Sequence, residues 1–422
     1  MRLASIMPVI NYGLFSKKIK LMFPISTSDF SLLNDLLEIF AKDIFINKLV
    51  RKKNPYILPQ FLPLESEVTH ENACPIAKIT PTALSEDVPL SQGATENSCG
   101  VLSSGGKESL LTYAMLKEIG AEVYPLYVNE SGGHWRTALT AYRQFAKIEP
   151  NNARVWTNVD RFYTFILDHM RIIRPDHRKV WADTYPIRLC IFPVYVFLLL
   201  PIFRHEKIGN LLIGSELDDP RTSPLFKGIK HYFGVYDQTQ DFDLRMEQWY
   251  LKRLPGMRQW SAVRSISGMI VERILTNRYP ELAKVQRSCH SCRFEKGKII
   301  PCGKCSKCQG VLLFLLANQV DPSIMEYRKK DILALPERLS RGALRLDEDE
   351  REHSLFLSKL HGFVGKEYYH VETIHLNKST SDIELIPALF RTPLFKILED
   401  YTKGFTMLEG DCWKPCHSPK EL

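Results

Sequence analysis

A chain of 422 residues with 45% hydrophobic and 25% charged side chains holds enough apolar material for two or three domain cores, which excludes a mainly disordered or collagen-like protein. The net charge of +8 is spread thinly, so it suits an anionic substrate and gives no dense basic stripe of the kind that argues for nucleic acid. Five of the ten cysteines crowd between Cys289 and Cys308, a layout of metal ligands rather than of disulfides, and a reducing cytoplasm is the expected compartment.

Met1 is followed by one arginine and a short apolar stretch, with no small-residue cleavage site before Lys17-Lys18-Ile19-Lys20, so no signal peptide is expected. Residues 30–50 carry Leu32, Leu33, Leu36, Leu37, Phe40 and Ile44 at helical spacing. Residues 52–63 are broken by prolines, and the polar stretch 65–97 reads as a linker or as a peripheral segment wrapped on the next domain.

From residue 99 strands and helices alternate. Strands are expected at 99–102, 122–128, 154–158 and 211–214, and helices at 107–119, 135–147, 161–172 and 186–203. Such alternation predicts a parallel sheet whose ligands bind at the carboxyl ends of the strands. The turns there are polar or glycine-rich, at 104–107, 129–133, 159–161 and 215–219. The apolar run 187–203, interrupted by Arg188, Pro193 and Pro201, falls short of the roughly 20 residues that span a bilayer and reads as a buried helix. Residues 226–242, with His231, Asp237 and Asp241, form a stretch long enough for a lid. Trp156, Trp181 and Trp249 are expected in the core.

Beyond residue 243 the chain reads helical to 282, passes through the cysteine segment and continues in an apolar helix at 311–319. Residues 331–360 are charge-rich, with Asp347-Glu348-Asp349-Glu350-Arg351-Glu352 as a solvated face. The expected organisation is therefore an N-terminal segment (1–95), an α/β domain (96–242), a helical cysteine region (243–330) and a C-terminal helical region (331–422).

Two motifs carry chemistry. Ser104-Gly105-Gly106-Lys107-Glu108-Ser109 joins a strand to a helix, and so offers backbone N–H groups, the positive end of a helix dipole and a mobile cation to an oxyanion. A tight turn beside a surface lysine is the plain alternative. It is not a Walker A loop, since Val101 stands where that pattern needs glycine, nor is it the spaced glycine triplet of dinucleotide folds. Around it, Gly214-Ser215-Glu216-Leu217-Asp218-Asp219 at another strand end could hold Mg2+ or contact substrate, with a helix N-cap or turn as the plain alternative, and Asn129 and Arg136 follow the second strand, where Arg136 could pair with an anion or simply start a helix. The second motif is Cys289-His-Ser-Cys292 followed by Cys302-Gly-Lys-Cys305-Ser-Lys-Cys308, more thiolates than the four of a closed zinc site. Cys302, Cys305 and Cys308 are expected ligands with either Cys292 or Cys289 as the fourth. Zinc is favoured over an iron–sulfur cluster. Cys412 and Cys416 read as ordinary thiols.

The first motif resembles the Ser-Gly-Gly-x-Asp-Ser signature of the PP-loop ATP pyrophosphatases (adenine nucleotide alpha hydrolase-like), through Ser104, Gly105, Gly106, Lys107 and Ser109, with Glu108 in place of the aspartate. Joined to the cysteine knuckle it is similar to the 7-cyano-7-deazaguanine synthases, with one more residue between Cys292 and Cys302. It is more similar to the epimerases of the terminal glutamate of UDP-N-acetylmuramoyl-dipeptides, through residues 236–243, 261–272 and Ser288-Cys289. The resemblance covers residues 99–321 and implies an α/β parallel-sheet PP-loop (HUP-like) domain with a helical, cysteine-metal-stapled C-terminal portion. It further implies ATP, Mg2+ and structural Zn2+ as cofactors, with Lys107, Ser109 and Asp218 in catalysis and Ser104 to Ser109, Asn129, Arg136, Gly214 and Asp219 around the nucleotide. The implied reaction cleaves ATP to AMP and pyrophosphate and adenylates a small carboxylate or peptidyl substrate, with epimerisation or amide formation as the following step. The alternatives are a nucleobase- or tRNA-modifying enzyme, with RNA as partner, and a silent zinc-stapled scaffold. No membrane partner is expected.

Overall fold

The alternating segments after residue 95 fold as a mixed α/β unit around a five-stranded sheet. Its strands are β1 (Thr95–Leu102), β2 (Glu122–Asn129), β3 (Ala153–Trp156), β4 (Ile208–Ile213) and β5 (Arg258–Trp260), in the spatial order β5-β4-β1-β2-β3. β1 pairs in parallel with β2, Cys99 opposite Val123, and β2 pairs in parallel with β3, Tyr127 opposite Arg154. β4 is buried along its whole length, as a strand covered on both faces must be. Its one amide, Asn210, is fully used: Nδ2 donates to the carbonyls of Glu96 (2.7 Å) and Ser98 (3.2 Å), and Oδ1 accepts from the Trp260 indole (3.0 Å). Strand order reverses between β1 and β4, the crevice in which open sheets of this kind bind ligands.

Five helices matter for the site: α1 (Lys107–Glu118), α2 (Gly133–Ile148), α3 (Gly268–Arg278), α4 (Ser306–Ala317) and α5 (Glu348–Ser358). α1 and α4 are buried on nearly all sides, so neither shows one apolar face against a polar one. A three-stranded sheet closes the C-terminal portion, with Ile374–Leu376 parallel to Phe405–Glu409, and Cys412–Cys416 antiparallel to the latter.

These features come from a computed structural model that describes residues 2–90, 93–130, 132–180, 190–342, 344 and 346–418. Its contacts divide the chain into two units, a division that differs from the four consecutive segments expected from sequence. One unit takes Met1–Thr95, Thr157–Ile208 and Thr222–Arg258; the other, which holds the sheet, takes Glu96–Trp156, Gly209–Arg221 and Gln259–Leu422. Residues 157–208 and 222–242 thus leave the expected α/β domain and pack with the N-terminal segment.

The first unit is mostly helical. Its helix Thr27–Ile44 is capped by Ser26, whose Oγ accepts the Asp29 N–H at 3.3 Å, and runs on into π-helical turns at Phe45–Arg51. The stretch expected as a linker or as a segment wrapped on the next domain pairs instead with the N-terminal residues of this unit: Lys78–Thr80 pairs in parallel with Lys18–Lys20, and Asp87 accepts the backbone N–H of Ser28 at 3.0 Å. The expected lid is also built in. His231 and Asp237 are buried, and Asp237 Oδ2 accepts the Phe192 N–H at 2.9 Å, capping the helix Phe192–His205. That helix begins later than the expected 186; residues 181–189, Trp181 among them, lie outside the described residues. Trp249 is buried and donates to Asp29, whereas Trp156, at the sheet edge, is 59% exposed and not core. The helical reading of 243–282 missed β5. Among the described residues no helix is long and apolar enough to cross a membrane.

Candidate phosphate site and metal centre

The turn from β1 into α1 is shaped by two glycines. Gly105 has φ +76°, and a Cβ there would stand 3.2 Å from the Ala138 Cα of α2. Gly106 is the N-cap; the Ser104 Oγ accepts its N–H at 3.4 Å, and Ser109 Oγ donates to its carbonyl at 3.2 Å. Gly214, just past β4, presses on the same turn: its Cβ would lie 2.7 Å from the Glu108 Cβ. The ends of β1 and β4 therefore meet at α1, as the strand-order reversal requires.

Lys107 points into the unit and is buried. Its Nζ pairs with Glu108 and, at 2.5 Å, with Glu216 from the loop after β4, while the Phe314 ring of α4 lies 5.7 Å away. Burial alone would lower this amine's pKa, but the two carboxylates outweigh it and hold the ammonium well above the ordinary lysine value. The start of α3 closes the other side. A Cβ on Gly268 would stand 2.5 Å from Glu216 Oε2 and 3.1 Å from Lys107 Nζ, so only glycine admits this approach. The next residue, Met269, donates its N–H to Glu350 Oε1 of α5 at 2.9 Å.

The acidic run 347–352 is therefore not simply a solvated face. Glu350 reaches α3, and Asp349 Oδ2 lies 2.6 Å from the Arg221 guanidinium, which also pairs with Asp219. Asp219 is thus already clasped by Arg221. Burial and the charge of Glu216 push the Glu350 carboxyl up to about 8. Glu272, one turn along α3 from Gly268 and wholly buried, is pushed up to about 7 by burial; its Oε2 accepts from Gln286 at 3.0 Å and its Oε1 has no partner among the described residues. Glu216 belongs to the strand-end cluster 214–219 expected near Mg2+ or substrate, whereas Glu272 and Glu350 were not singled out in the sequence as site residues.

The metal group is formed by Cys289, Cys302, Cys305 and Cys308, whose Sγ atoms lie within 4.8 Å of one another. The separations Cys302 to Cys308 (3.8 Å) and Cys289 to Cys305 (4.0 Å) match the edge of a tetrahedron with Zn–S bonds of about 2.3 Å, which is about 3.8 Å. Backbone N–H groups of Ser291 and Cys302 point at Cys289 Sγ, both at 3.3 Å, and those of Lys304 and Cys305 at Cys302 Sγ. Such donors favour thiolates, as does the start of α4, where Cys305 is the N-cap. The group could hold a metal ion such as zinc. Between the two sequence alternatives for a fourth ligand, the geometry selects Cys289; Cys292 Sγ lies outside the group, 3.9 Å from Thr137 Oγ1.

The two motifs touch. The Arg287 N–H donates to the Gly105 carbonyl at 2.9 Å, and Thr137 Oγ1 of α2 donates to the Cys289 carbonyl at 2.9 Å. Arg136 is used here too, giving NH1 to the Cys292 carbonyl at 3.2 Å, a backbone acceptor rather than an anion. Asn129 ends β2, opposite Trp156, and Asp218 is half-buried in the loop after β4. No family model matches the sequence, and no curated protein matches it.

Proposed function

We propose that the chain is an ATP pyrophosphatase-type enzyme that adenylates a carboxylate. The observation that supports this most is the buried Lys107 ammonium at a Gly-Gly turn, where the ends of β1 and β4 meet at the start of α1. In this reading the N–H groups of the turn and Lys107 hold the β- and γ-phosphates. A substrate carboxylate oxygen attacks the α-phosphorus, the bond from that phosphorus to the bridging oxygen breaks, and pyrophosphate leaves with the electron pair. Preorganised donors aimed at developing charge are the largest catalytic contribution such a turn offers. Mg2+, when bound, would neutralise phosphate charge, with the carboxylates of Glu108 and Glu216 at Lys107 and Asp218 of the same loop as Glu216 offering oxygen ligands. Zn2+ in the four-cysteine group would be structural, since four thiolates leave no open position. An adenylated acid has a more acidic α-proton, which suits epimerisation of a peptidyl glutamate or similar residue.

ATP labelled at the α-phosphate, incubated with Mg2+ and a panel of amino acids and peptidyl carboxylates, should yield labelled AMP with at least one acid. Lys107→Ala should lower that rate by about a hundredfold or more. Absence of AMP with every acid refutes the reading. A second reading, a silent scaffold, is favoured by one observation: Lys107 is already paired with Glu108 and Glu216. It predicts that ATP binds neither the wild type nor Glu216→Gln, in which one of those carboxylates is neutralised.

A further inference from the structure

On its way into the metal group the chain runs along the phosphate turn. Arg287 is fixed to that turn by its N–H on the Gly105 carbonyl, 2.9 Å, and its guanidinium is held in turn by the carbonyl of Ile299 at 2.7 Å. The next residue, Ser288, lies beside Gly106. A Cβ built on Gly106 would stand 3.1 Å from Glu108 Oε2, 3.3 Å from Ser104 Oγ and 3.6 Å from Ser288 Oγ, so the missing side chain leaves a space bordered by two hydroxyls and the Glu108 carboxylate. Ser104 Oγ is engaged by the Gly106 N–H. Ser288 is half-buried, and its hydroxyl makes no hydrogen bond among the described residues. One residue later stands Cys289, a member of the metal group, whose carbonyl is tied to Thr137. A free hydroxyl is thus held at the turn by anchors on both sides.

We infer that Ser288 is part of the phosphate site, its hydroxyl donating to a non-bridging oxygen of the group seated on Gly106 and Lys107. The cysteine segment then supplies a ligand as well as a brace, and metal and polyphosphate favour each other's binding by the same factor. This rests on the phosphate-site reading above but needs no cleavage of ATP.

The test uses the metal-loaded full chain and pyrophosphate as the titrant in a calorimeter, with the metal content of every variant measured alongside. Wild type should bind, and Lys107→Ala should abolish binding. Ser288→Ala at full metal content should bind about ten- to a hundredfold more weakly, the range expected for one hydrogen bond to a charged group. Ser288→Thr, which keeps the hydroxyl, should retain most of the affinity. Wild-type affinity in Ser288→Ala alongside loss in Lys107→Ala overturns the role of Ser288 and leaves the phosphate-site reading standing. An affinity loss that merely tracks metal loss also overturns it. A wild type that binds no pyrophosphate removes the phosphate-site reading itself.

Discussion

The Arg287 N–H lies 2.9 Å from the Gly105 carbonyl, one hydrogen bond joining the cysteine segment to the Gly-Gly turn. Through it, the geometry of a turn that needs φ +76° at Gly105 depends on a segment whose own path is set by the metal group. Chelating the metal should therefore loosen residues 104–107 together with 284–292. Amide hydrogen exchange checks this: faster exchange in both segments is expected, and unchanged protection in the turn would show that it stands without the brace.

The choice of Cys289 over Cys292 has its own measurement. Cys289→Ser, Cys302→Ser, Cys305→Ser and Cys308→Ser should each bind metal far more weakly than wild type, because each removes one of four converging sulfurs. Cys292→Ser should keep one metal per chain. Metal analysis after dialysis against a competing chelator separates the two groups, and loss of metal from Cys292→Ser would reassign the fourth ligand.

Gly214→Ala places a methyl group 2.7 Å from the Glu108 Cβ and 3.0 Å from its carbonyl carbon, contacts that involve backbone and cannot be relieved by a side-chain rotation. A loss of about 1–3 kcal/mol is expected, the usual cost of overpacking. Denaturant midpoints measure it; a variant as stable as wild type would mean that β4 and α1 separate without cost.

The sequence made the turn, the sheet and the cysteine group legible because each is local. Two glycines and a lysine between an apolar strand and a helix, or three cysteines at C-x2-C steps, declare themselves within ten residues. What stayed hidden depends on distant contacts. Glu350 reads as one of six charged residues on a helix surface until α5 is seen to bring it to the Met269 N–H. Arg136 looks free to meet an anion until the Cys292 carbonyl is placed beside it. β5 is only three residues long, too short to show a period, and its place in the sheet is fixed by Trp260 meeting Asn210. The polar stretch before residue 95 has no apolar period either, since its strands of two and three residues are held by pairing with residues 18–20 and 25–26.

Glu272 gives a pH signature. Burial raises its carboxyl from 4.5 to about 7, so the folded state binds the proton more tightly than the unfolded state. Its contribution to stability is present in full below pH 4.5, is lost as pH rises to about 7, and stays level above. Glu272→Gln removes that loss. The stability difference between variant and wild type, measured by denaturant titration from about pH 4 to about pH 8, should shift in favour of the variant across that window and then flatten. Parallel curves would show that Glu272 ionises as freely as in the unfolded chain.

The bond between Arg287 and Gly105 also sets an order of events during synthesis. Arg287 is made roughly 180 residues after Gly105, and at about 5–20 residues per second the turn waits some ten to forty seconds for its brace. β4 arrives within that interval, the four cysteines of the metal group only after Arg287, and Glu350 later still. A nascent chain therefore carries the proposed anion site unfinished until the metal group can close, and metal scarcity during translation would lower the yield of finished sites.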